Sequence, residues 1–371
     1  GRLGAQRKQA CYDAMLLATL RAQGVRPAME ALNAVVARDR DVARDAHVYA
    51  HGIGIAAFAG AERVGESFAA CTPEHQSGCY HGVVQAYFMD ARRSGGEVSA
   101  EAVNALCRDH RAEGRTWLQF QCAHGMGHGL VMFHGHDLPT ALKGCDLLDS
   151  GFERETCYQG AFMENAVNAM MPHHPAAELA HGAHGGGAHA HHGAGAGPPT
   201  FKALDPDDLL YPCTVVEERY WSACYSMQTS VILHFTGQDV ARTARECLRV
   251  PERMRSTCFV SLGRDISGMT VQNRAESRRR CAAVPDPADR AWCHVGAATN
   301  MLNVTSRAED GVAYCRELPD TEDKARCYES VGTQLRVLAS GEAEREEACR
   351  TVEAGYVDAC RRGAGLAVAT R

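Results

Sequence analysis

The chain has 371 residues, 45% of them hydrophobic and 23% charged, with a net charge of −6. That length suits two or three compact domains or one elongated repeat array. The acidic balance leaves no basic surplus to neutralise phosphates, which excludes a general nucleic-acid binder. No window approaches the roughly 18 uninterrupted apolar residues of a membrane-spanning helix. Gly1 to Ala10 is polar and basic and does not read as a signal peptide, so any targeting segment would precede this sequence.

In chain order, residues 1–24 are expected to form an N-terminal capping helix, with Cys11 left as half of a pair whose partner would lie upstream. Residues 25–171 are expected to be helical repeats that carry histidines. The first of them has one helix over Val25–Arg38, with Met29, Leu32, Val35 and Val36 on one face, and a second over Val42–Gly60. Residues 172–204 place His173, His174, His181, His184, His189, His191 and His192 among Gly, Ala and Pro. They show no apolar periodicity, so a disordered surface loop is expected there. Helices should resume at Asp205-Pro206-Asp207, an N-cap with Pro in the first turn, and continue as repeats over 205–371.

The repeats announce themselves through the cysteines. Sixteen of the seventeen fall into consecutive pairs: Cys71/Cys79, Cys107/Cys122, Cys145/Cys157, Cys213/Cys224, Cys247/Cys258, Cys281/Cys293, Cys315/Cys327 and Cys349/Cys360. The first members of the last five pairs are spaced 34 residues apart every time. A fixed step of that size marks stacked two-helix units. Pro251, Pro285 and Pro319 follow the first cysteine of their pairs and break its helix, because proline lacks an N–H and restricts the residue before it. The second cysteine then opens the next helix. The neck of a helical hairpin brings Cα atoms to the about 5–6 Å that a disulfide needs, and so many bridges require an oxidising compartment, periplasmic or secreted. Spacing alone does not prove the connectivity. In the first repeat Tyr49 stands where a cysteine would be, so that unit has no bridge.

The fold expected is therefore an all-α solenoid of about 34-residue two-helix repeats with one disulfide per repeat. This plan resembles the Sel1-like and tetratricopeptide helical solenoids, above all the disulfide-bridged bacterial Sel1-like proteins. The resemblance covers repeat length, hairpin and the one-bridge rule, and it implies architecture alone. The family's Leu-Gly…Tyr…Gly-x-Gly text is not reproduced here.

Histidines follow the same frame. His51, His81 and His124 each lie two residues after the cysteine, or after Tyr49. Later repeats place Gln159, Ser226, Val260, Val295 and Glu329 there. Equivalent positions in stacked repeats form a stripe, and packed helices lie about 8–10 Å apart, so imidazoles from neighbouring repeats can meet. The i,i+4 pairs His47/His51 and His124/His128 share a helix face, a spacing suited to chelating one ion. Copper or zinc accepts such ligands, and Met126, Met132 and Met163 nearby lean towards copper. The candidate metal ligands are His47, His51, His81, His124 and His128; the rival reading is a set of structural histidines hydrogen-bonded within the stack. His134, His136, Asp90 and Glu164 are weaker candidates. Gly52, Gly54, Gly82, Gly125, Gly127 and Gly129 sit inside expected helix at roughly 1 kcal/mol each relative to Ala, which implies close backbone approach at a ligand site or a helix crossing.

Three functions fit: an extracytoplasmic metal-binding protein, a metalloenzyme (oxidoreductase or hydrolase) using the same histidines, or a scaffold with a protein partner on its concave face and no metal. No phosphate-binding loop, His-Glu-x-x-His or Gly-x-Ser-x-Gly motif is present to decide between them.

Overall fold

The computed structural model describes residues 2–112, 114–170, 201–319 and 321–368. Of the histidine- and glycine-rich loop expected over residues 172–204, residues 172–200 lie outside the described residues. Among those described the secondary structure is helical without a strand, as the repeat reading requires. The helices of the first part are α1 (Arg2–Gln23), α2 (Val25–Val36), α3 (Arg40–Ala57), α4 (Val64–Ala69), α5 (Gly78–Arg93), α6 (Ala100–Leu106), α7 (Thr116–Phe133), α8 (Leu138–Asp146) and α9 (Gly151–Met170). Those of the second part are α10 (Trp221–Phe235), α11 (Val240–Cys247), α12 (Arg255–Met269), α13 (Arg274–Cys281), α14 (Pro287–Thr305), α15 (Ala308–Arg316), α16 (Thr321–Leu338), α17 (Glu342–Arg350) and α18 (Val357–Gly363). No helix among the described residues is long and apolar enough to cross a membrane.

The chain forms two compact units. The first comprises residues 1–72, 77–105 and 122–205; the second comprises 73–76, 106–121 and 206–371.

In the first unit, Gly24 at φ 92° separates α1 from α2, a conformation glycine adopts without steric cost. Asp39 opens α3 by accepting hydrogen bonds from the Asp41 and Val42 amides, a cap worth about 1 kcal/mol. The helix therefore starts before Val42. It stops at Ala57, short of Gly60, because Phe58 turns into extended backbone. Met29, Leu32, Val42, Ile53, Val83 and Leu130 are buried in this unit's core.

The cysteine pairing read from spacing holds. Cys71–Cys79 and Cys145–Cys157 are bridged in the first unit, and Cys213–Cys224, Cys247–Cys258, Cys281–Cys293, Cys315–Cys327 and Cys349–Cys360 in the second, with Cα atoms 5.5–5.7 Å apart. Cys107 and Cys122 are also disulfide-bonded, while Cys11 is free and exposed on α1. Each short loop closed this way contributes on the order of 2–3 kcal/mol in the chain-entropy account.

One expectation fails. Residues 206–216 run through turns, not a helix starting at Asp205-Pro206-Asp207, and the next regular helix begins at Trp221. Side chains satisfy the backbone there in place of a helical ladder. The Asp208 carboxylate accepts from the Leu210 amide and the Thr214 hydroxyl, and Gln228 on α10 donates to the Leu209 and Tyr211 carbonyls.

The in-helix glycines mark crossings. A methyl added at Gly54 would overlap the Cys79 carbonyl, and one at Gly82 the His51 carbonyl. Gly127 abuts the Cys157 carbonyl, and Gly160 that of His124. The second unit repeats the arrangement: Gly263 meets Cys293, Gly296 meets Val260, Gly332 meets Cys360 and Gly363 meets Glu329. In every pair one glycine lies five residues after its cysteine (or Tyr49), and its partner glycine lies three after the next. The crossing rule thus spans two repeats. Gly52 is different, with nothing near its missing Cβ.

These contacts predict opposite outcomes for one substitution. Gly296→Ala should lower stability by roughly 1–3 kcal/mol or more through overpacking, whereas Gly52→Ala should be neutral or stabilising by up to about 1 kcal/mol. Urea unfolding midpoints of the two variants check this; equal midpoints would contradict the crossing geometry.

Candidate metal centre

All five histidines singled out by the repeat register lie in the first unit. The backbone contact of α3 with α5 at Gly54 and Gly82 draws His51 and His81 together. Gly125 then faces the His81 backbone, its absent Cβ 3.0 Å from the His81 Cα, which brings α7 with His124 and His128 against α5. The rings form a continuous cluster. Centroids are 4.5 Å apart for His47 and His51, 5.4 Å for His51 and His81, 4.7 Å for His81 and His124, 5.1 Å for His124 and His128, and 4.9 Å for His51 and His128.

Their nitrogens group into two triads. One ligand atom each from His47, His51 and His81 lie within 4.8 Å of one another, and so do one each from His81, His124 and His128. His51, His81, His124 and His128 are buried and His47 is half-buried.

Two residues orient the rings from behind. Glu164 on α9 accepts a hydrogen bond from His128 Nδ1 at 2.8 Å and is itself 2% exposed. Gln85 on α5, fully buried, lies 3.4 Å from His51 Nδ1 through its carbonyl oxygen. Both arrangements leave Nε2 for the cluster, the way an outer carboxylate or amide fixes a metal-binding imidazole. His51 Nε2 lies 3.1 Å from His47 Nε2. Two nitrogens on one tetrahedral ion at about 2.0–2.1 Å would be separated by about 3.3 Å, so this pair is already near chelating distance. His128 Nε2 is buried and makes no hydrogen bond among the described residues, a condition that costs about 1–3 kcal/mol when nothing compensates it. A cation at that nitrogen removes the penalty.

Electrostatics disfavour a proton on His124. Burial pushes the His124 imidazole well below its ordinary range, and the neighbouring His128 and His47 lower it further. A neutral imidazole offers a lone pair and not positive charge, the form in which histidine binds metal.

The weaker candidates separate. Glu164 joins the centre, as the partner of His128. Asp90 instead pairs with Arg93 one helical turn on. His136 sits at φ 68° in the turn after α7, with Nδ1 3.2 Å from the Asn168 amide, and His134 packs on Phe133. Met126 and Met132 are buried in the core. Gln85 escaped the sequence reading, although it stands six residues after Cys79, the register that His128 occupies after Cys122.

The second unit fills the same register differently. Arg264, six after Cys258, bonds to Asp265, and Asp265 accepts from Thr229 and Ser230. The stripe two residues after the cysteines lines a groove of about 560 Å³ bounded by Val260, Trp292, Val295, Arg326 and Glu329. His294, also in the second unit, is buried. It shares a 2.8 Å hydrogen bond with the Tyr314 hydroxyl.

No protein-family model matches the chain, and no curated protein or solved structure is significantly similar to it.

Burial first, then Arg290 and Arg278, lower the His294 pKa to about 4. The unfolded chain takes up this proton near its ordinary value of about 6.5, so the native state loses stability as pH falls from there to about 4 and no further below. His294→Gln should remove up to one proton from the pH dependence of the urea midpoint in that window. An unchanged slope would contradict the assignment.

Proposed function

We propose that this protein is an extracytoplasmic metal-binding helical-repeat protein that holds copper or zinc between His47, His51, His81, His124 and His128. The observation that carries the reading is the convergence of five imidazoles from α3, α5 and α7, with Glu164 and Gln85 fixing the outward nitrogens of His128 and His51. An all-imidazole donor set suits zinc and copper over calcium or magnesium, which prefer oxygen. Disulfides of this number persist in an oxidising compartment, which supports a periplasmic or secreted location. On repeat length and bridge plan the chain is read beside the disulfide-bridged Sel1-like solenoids.

Burial of four of the five rings favours tight retention of an ion over turnover of a large substrate. A metalloenzyme reading rests on the same ligands and requires an open coordination position. The groove lined by Trp292 and Arg326 favours a further reading for the second unit, in which it receives a protein partner.

The test uses the full chain with the seven histidines of residues 172–204 changed to serine, so that loosely bound ions do not count. After chelation, reloading with copper(II) or zinc and gel filtration, metal should remain bound. The double variant His51→Gln/His128→Gln should abolish it, and Glu164→Gln should weaken affinity about 10–100-fold. Absence of retained metal in the parent, with native helicity, would overturn the reading.

A further inference from the structure

We infer that the cluster takes two transition-metal ions, one on His47 and His51, the other on His124 and His128, with the His81 imidazole bridging them. This rests on the metal reading above and concerns how the same ligands are divided.

The donor atoms form two triads with one common member, His81. It stands on α5, while the other members of the two triads come from α3 and α7. His47 and His51 of α3 are 5.5 and 5.4 Å from it, and His124 and His128 of α7 are 4.7 and 5.5 Å from it. Ligand count points the same way, because a zinc or copper ion uses about three or four protein ligands and the cluster supplies five imidazoles. An imidazole has two ring nitrogens, each able to bind one ion once its proton is gone. Binding both ions therefore releases one proton from the His81 ring to solvent, and the ring becomes an imidazolate. The added positive charge in a buried site is offset by that anion and by Glu164, which sits behind His128 at 2.8 Å. Each ion then has three protein ligands and room for one small exogenous ligand.

The two positions differ in access. His47 is half-buried while His124 and His128 are buried, so the α3 ion exchanges with solvent sooner than the α7 ion. A chelator should accordingly remove the metal in two phases.

The experiment loads the full chain, again with the seven histidines of residues 172–204 changed to serine, with copper(II). It reads copper per chain by elemental analysis and the paramagnetic resonance spectrum. The expected result is two coppers per chain with a spin-coupled spectrum that is weak at the isolated-ion position. His47→Gln should halve the copper content and restore the full signal of one isolated ion. His124→Gln should do the same while leaving the ion held by His47 and His51, so neither result depends on a single variant folding. One copper per chain in the parent would overturn the two-ion division and leave the metal reading standing. Two coppers without coupling would overturn the His81 bridge. No retained copper, and no zinc on reloading with zinc instead, would overturn both.

Discussion

The histidine centre depends on how closely α5 lies against α3. Packed helices usually keep their axes about 8–10 Å apart. At this crossing Gly54 touches the Cys79 carbonyl and Gly82 touches that of His51, with no room for a methyl group on either side. Because Gly82 follows His81 directly, and Gly54 lies within a turn of His51, the approach of the two backbones also sets the approach of two imidazoles. A larger residue at either glycine would push the helices apart and open the cluster by the width of a side chain. The in-helix glycines therefore give up local helix propensity, and the crossing repays it in geometry.

The disulfides supply the frame in which such crossings recur. Each bridged neck fixes where the second helix of a hairpin begins, so positions counted from the cysteine are equivalent from repeat to repeat. The second unit shows what the frame does without histidines. Gly263 and Gly296 make the same backbone contact, yet the register six and seven residues after Cys258 carries Arg264 and Asp265, an ion pair tied to Thr229 and Ser230. One scaffold thus holds a self-satisfied polar network in one unit and a group of clustered imidazoles in the other. The chemistry resides in the side chains placed on the repeat and not in the repeat itself.

Much of this was legible in the sequence. The 34-residue cysteine step gave the bridges and hairpins, since loop closure and helix length leave little freedom in such a unit. The position two after the cysteine gave the stripe of His51, His81 and His124, and the i,i+4 spacing added His47 and His128. Three features were not legible. Gln85 gave no signal because a glutamine on a helix is ordinary, and only its burial behind His51 shows its role. The pairing of glycines follows a rule two repeats long, hidden by reading one repeat at a time. The start of the second half was misjudged because Asp205-Pro206-Asp207 suits a helix N-terminus locally, while Asp208 and Gln228 capture the backbone into turns through contacts that depend on α10.

The most direct measurement of the central claim is X-ray absorption at the metal edge of the zinc-loaded protein. If the α3, α5 and α7 histidines are the ligands, the first shell contains at least three imidazole nitrogens at about 2.0–2.1 Å, with the outer-ring scattering that marks histidine and no sulfur at about 2.3 Å. A shell dominated by oxygen or sulfur, or one that His51→Gln leaves unchanged, would contradict the account.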